Sequence, residues 1–69
     1  MKLLSAADVA IALAIRNGTL VCQPCEGRFG PYVAICDDAG LIECHETGKD
    51  AMKRVATIKA RMHQAEQLA

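Results

Sequence analysis

Tyr32-Val33-Ala34-Ile35-Cys36-Asp37-Asp38-Ala39-Gly40-Leu41-Ile42-Glu43-Cys44-His45-Glu46 is the stretch on which the fold turns. Two apolar runs flank Asp37-Asp38-Ala39-Gly40, residues that favour a tight reversal, so the stretch predicts a hairpin with strands over 32–36 and 41–46. Its register depends on the loop. A three-residue loop with Gly40 as the bulge residue sets Asp37 opposite Leu41, Cys36 opposite Ile42 and Ala34 opposite Cys44, which places Cys36 and Cys44 on one face. A two-residue loop sets Val33 opposite Cys44 and sends the two thiols to opposite faces. The three-residue form is expected, because the shorter one asks Ala39 for a positive φ.

Upstream of the hairpin, Thr19-Leu20-Val21-Cys22 reads as another strand. Pro24, Gly27, Gly30 and Pro31 then mark a turn-rich loop from Gln23 to Pro31. Helices bracket the strands. Ser5-Ala6-Ala7-Asp8 is a capping box with Asp at its third position, and Leu4 and Val9 stand where a hydrophobic staple would. Arg16-Asn17-Gly18 supplies a cation and left-handed-tolerant residues, so the first helix is predicted over about 6–16. Thr47-Gly48-Lys49-Asp50 opens a second helix running to about Gln67, with Ala51, Val55, Ile58, Met62 and Ala65 as its core stripe.

The order is helix, three-stranded antiparallel meander, helix. It predicts an α+β two-layer sandwich with both helices on one face of the sheet, as a single domain over 1–69. Double-stranded-RNA-binding domains share this order of elements. The resemblance is one of order alone: such domains carry a run of lysines at the start of the last helix and a basic loop between strands. Here there are only Lys49, Lys53 and Arg54, beside an acidic hairpin.

The first helix poses a question of its own, since Val9-Ala10-Ile11-Ala12-Leu13-Ala14-Ile15 is apolar on every side. Either its alanines form a small, neutral outer face, or the helix packs on a second copy of the chain, as a homodimer, or on another protein.

Sixty-nine residues bury only about 60% of the surface of the unfolded chain, which leaves little scaffold for a cleft walled by loops. A non-enzymatic role is therefore expected. Eight Lys+Arg balance eight Asp+Glu, so no global field draws the chain to polyanions or anionic membranes. No apolar run approaches the roughly 18 residues of a membrane span. Asp8 interrupts the N-terminal apolar stretch, which reads against a signal peptide. The expected compartment is the cytoplasm, with the four thiols reduced.

Those thiols, Cys22, Cys25, Cys36 and Cys44, are the chief candidates for chemistry. Cys22-Gln23-Pro24-Cys25 has the spacing of half a tetrahedral zinc site, with Cys36 and Cys44 as the other half and His45 in reserve. The expectation is nonetheless no cofactor and no metal, the cysteines acting as small buried hydrophobes; a structural zinc module presenting a helix to nucleic acid or a larger complex is the alternative. A thioredoxin-like role needs a helix starting at the first Cys, and Pro24 and Gly27 argue for a loop instead. Cys44 and His45 are strand neighbours and point to opposite faces, so they form no dyad. No phosphate-binding loop, dinucleotide fingerprint or hydrolase triad is present.

Arg54 and Arg61, seven residues apart, share a helix face, but with few aromatics and zero net charge nucleic acid is not the expected partner. Arg28, Phe29 and Tyr32, with Arg54 and Arg61, are the residues expected to contact a partner protein, since Arg and aromatic side chains dominate interface hot spots. An exposed Phe29 would favour that reading; an inward Phe29 would plug the core. The sequence thus points to a small protein-binding regulator or inhibitor that occupies a partner's surface. Phages and plasmids encode small chains of that type against host defence.

Overall fold

A computed structural model describes residues 5–68. Helix α1 (Ala6–Asn17) leads into strands β1 (Val21–Gly27), β2 (Gly30–Asp37) and β3 (Gly40–His45), and helix α2 (Gly48–Leu68) closes the chain. The strands form one antiparallel sheet in the order β1-β2-β3. Ile11 of α1, Ile35 of β2 and Ala51, Val55 and Ile58 of α2 form one buried cluster, so both helices lie on the same face of the sheet.

Local chemistry sets the helix ends. Ser5 Oγ accepts the Asp8 amide at 3.1 Å, while Asp8 Oδ2 accepts the Ser5 amide at 3.3 Å, completing the capping box. Gly18 ends α1 at φ 70°, a left-handed conformation, and donates to the Ile15 carbonyl. At α2, the Asp50 amide donates to Thr47 Oγ1 at 3.1 Å. The staple position Leu4 lies outside the described residues.

The turn-rich loop expected over Gln23 to Pro31 is instead the end of one strand and the start of the next. β1 runs through Gln23-Pro24-Cys25-Glu26 to Gly27, and only Arg28 and Phe29 form the turn. Proline is tolerated here because β1 is an edge strand, where a missing N–H toward solvent breaks no ladder bond. Pro31 stands near the start of β2, another permitted place.

The second hairpin also departs from expectation. Asp37 pairs with Gly40 and Cys36 with Leu41, so the loop has two residues, Asp38 and Ala39. Ile42 is then skipped in a bulge, and the pairing resumes with Ile35 opposite Glu43 and Ala34 opposite Cys44. Ala39 escapes the positive φ because Gly40 takes it, at 132°, and Asp37 Oδ1 accepts the amides of Ala39 (2.8 Å) and Gly40 (3.0 Å). The bulge thereby restores the Ala34–Cys44 pairing that a three-residue loop would have produced.

The first hairpin ends in the same way, Gly30 taking φ 121° after Arg28-Phe29. Space is free around a Cβ at either glycine, so the cost of substitution there is conformational. Gly30→Ala is expected to cost about 1–3 kcal/mol. For a chain this short the melting temperature should fall by at least ~4 °C, readable by circular dichroism.

Candidate functional site

Phe29 is the most exposed large apolar side chain of the described residues, at 98%. It stands at the tip of the β1–β2 hairpin beside Arg28. The two-residue turn causes this, since its central side chains point away from the sheet and have nothing to fold against. Phe29, Tyr32, Cys44, His45 and Glu46 line an open concavity of 640 Å³ at that end of the sheet. Of the residues expected to meet a partner, Arg28, Phe29 and Tyr32 therefore converge there.

Arg54 and Arg61 do not join them. Arg54 Nη2 meets Asp8 Oδ1, Arg61 Nη1 donates to Asp8 Oδ2 at 3.2 Å, and Arg54 Nε donates to Glu43 Oε1 and Oε2 at 3.2 and 3.1 Å. His45 Nε2 contacts Glu43 Oε2 in turn. The network ties α1, β3 and α2 together, and no side-chain nitrogen or oxygen buried among the described residues lacks a partner.

Proton affinities follow this geometry. Asp8 is held below the ordinary carboxylate value, chiefly by its hydrogen bond from Arg54, against the upward push of burial and with help from the Ser5 amide and hydroxyl. Burial pushes Glu43 up, but the hydrogen bonds from Arg54 and His45 outweigh it and the net displacement is downward. Arg54 is raised, first by Glu43 and, against burial, by Asp8.

Asp8 was readable as a cap and missed as an ion-pair hub. It precedes Ile11 by three residues and Ile15 by seven, which places an acid on the core stripe of α1. Such an acid calls for a cation from the facing helix, and Arg54 and Arg61 flank the stripe of Val55 and Ile58.

The cysteines do not gather at one point. Because Cys22 and Cys25 lie three apart on a strand rather than around a turn, they face opposite ways: Cys22 pairs with Ile35 on the helix-covered face and Cys25 with Tyr32 on the other. Cys36 and Cys44 share the face of Cys25, and Cys25 stands opposite Tyr32. Its hydroxyl is pushed above the usual phenol value, first by its hydrogen bond with Cys25. Among the described residues no group of three or more His, Cys, Asp or Glu could hold a metal ion. Cys44 pairs with Ala34 and His45 with Val33, so these neighbours do face opposite sides of the sheet. All four cysteines are free thiols, and only Cys25 and Cys36 are half-buried; Cys22 and Cys44 are exposed rather than interior.

No family model, curated protein or solved structure matches the chain. Among the described residues no helix is long and apolar enough to cross a membrane.

Proposed function

We propose that this chain is a non-enzymatic protein-binding regulator or inhibitor that occupies a partner's surface with the tip of its first hairpin. The observation that carries the reading is Phe29, wholly exposed at the end of a two-residue turn. Such a side chain gains about 1.5–3 kcal/mol when a partner buries it, and a short turn offers it with little entropy left to lose. Arg28 adds a cation at the rim. Tyr32 lines the concavity behind and adds an aromatic face with a polar tip.

A structural role for Asp8, Glu43 and Arg54 supports the non-enzymatic reading. Asp8, Glu43 and Arg54, whose proton affinities are displaced, are tied to one another across three elements. The partner contact accordingly centres on Arg28, Phe29 and Tyr32, with Arg54 and Arg61 serving the clamp.

Affinity capture from the host cell, read by mass spectrometry, tests the reading. Phe29→Ala and Arg28→Glu should each weaken capture of a specific protein at least ~10-fold, in line with hot-spot losses of about 1.4 kcal/mol or more, while the melting temperature stays put. Equal capture by both variants would remove the hairpin tip from the contact.

A further inference from the structure

The sheet has two faces and the helices cover one, over Val33, Ile35 and Ile42. The opposite face carries Val21, Gln23, Cys25, Tyr32, Cys36 and Cys44, with Ala34 beneath them at 4% exposure. None of these is Lys, Arg, Asp or Glu, in a chain with eight of each sign. Val21 is half exposed.

The chain also has more surface than its mass explains. It exposes 5208 Å². A folded monomer of 7.4 kDa exposes about 4,200 Å², so roughly 1,000 Å² is in surplus, shared between the uncovered sheet face and the exposed end of α2 in a molecule 44 Å long.

We propose that a second copy of this chain covers the open sheet face, sheet on sheet, giving a two-fold dimer layered as helices, sheet, sheet, helices. In such a dimer a face packs on itself, so any charge on it would meet its own mate across the axis; the strand residues of this face carry none, and Glu46 lies beyond the end of β3. Its thiols, Ala34 and Val21 are small enough for two sheets to approach to ~10 Å. Tyr32 is the bulky exception, and it stands at the end of the face nearest the first hairpin turn. Gln23 lies on edge strand β1, at the rim. The inference shares Tyr32 with the hairpin-tip reading but uses neither Arg28 nor Phe29, and its test needs no partner protein, so the two fail separately.

Sedimentation equilibrium of the full chain under reducing conditions should give a monomer–dimer equilibrium between about 1 and 300 μM, the range of a modest interface. Cys22, on the helix-covered face, is an internal control. Alkylation of Cys25, Cys36 and Cys44 should slow several-fold as protein concentration rises through the dimer range, and that of Cys22 should not. The double variant Val21→Lys/Gln23→Lys changes only exposed positions; it should stay folded by circular dichroism and sediment as a monomer. Leu13→Lys, on the exposed side of α1, should leave the dimer intact. The proposal is overturned by a wild-type monomer across the whole range. It is equally overturned by a dimer that survives the double variant but not Leu13→Lys, or by concentration-dependent protection that includes Cys22.

Discussion

Ile35→Ala should leave the chain largely unfolded at room temperature. Ile35 is fully buried on the central strand, at the junction of both helices with the sheet. Truncating such a side chain costs about 2–5 kcal/mol, because the transfer energy is lost and the cavity collapses only partly. A core in a chain under 80 residues supplies roughly 3–5 kcal/mol in all, so the loss is of the same size as the whole stability. The expected readout is a collapsed amide dispersion in the two-dimensional NMR spectrum and no cooperative thermal transition. Ile35→Val removes one methylene, costs about 0.5–1.5 kcal/mol and should still melt cooperatively. An alanine variant melting within a few degrees of wild type would show that the packing around Ile35 is not what holds the sheet to the helices.

Arg54→Ala is expected to be the next most damaging change. The guanidinium joins Asp8 of α1 to Glu43 of β3, and its loss leaves two half-enclosed carboxylates with Arg61 and His45 alone. Charge-assisted hydrogen bonds contribute about 1.5–3 kcal/mol each where buried. Solvent reaches this side chain at 22% exposure, so about 2 kcal/mol in total is the reasonable size. Arg54→Lys should recover only part, since a point ammonium cannot span both carboxylates as the planar fork does.

The pH dependence of that loss follows from the direction of the shifts. Asp8 and Glu43 are both depressed in the folded state, from ordinary values of 3.8 and 4.5. Their contribution is therefore fully present above those values and is lost as pH falls through the lower folded ones. The gap in urea midpoint between wild type and Arg54→Ala should be full at pH 7 and close progressively below pH ~4. A gap that stayed constant to pH 2 would assign the cost of the variant to lost packing of the arginine stem.

Much of this architecture was legible locally. Ser5, Asp8 and Gly18 mark α1, Thr47 and Asp50 mark the start of α2, and the spacing of Ala51, Val55 and Ile58 marks its buried stripe. Such signals work because a cap or a periodic face is chemistry between residues a few positions apart. The same locality misled at Gln23 to Pro31, where two prolines and two glycines suggest a loop. Whether a proline breaks a strand depends on which side lacks a neighbour, a property of the sheet and not of the tetrapeptide. Ala65 likewise fits the helical stripe yet is exposed. A period identifies a face and does not say how far the opposing layer extends.

The candidate site was legible in its residue types and not in its grouping. Phe29 and Arg28 were identifiable as candidate contact residues, but the full exposure of Phe29 required the turn to have two residues. The exposed Val9 and Leu13 on α1 and the charge-free sheet face could not be assigned before the side taken by the helices was known.

The sequence by itself determined the element order, the helix termini and the meander, because capping groups, turn residues and hydrophobic period act between near neighbours. Tertiary structure alone decided that Arg54 and Arg61 turn inward to Asp8, that Cys22 parts from Cys25, Cys36 and Cys44, and that one side of the sheet is bare. Those outcomes depend on strand register and on which face the helices cover, and both are set by contacts between residues far apart in the chain.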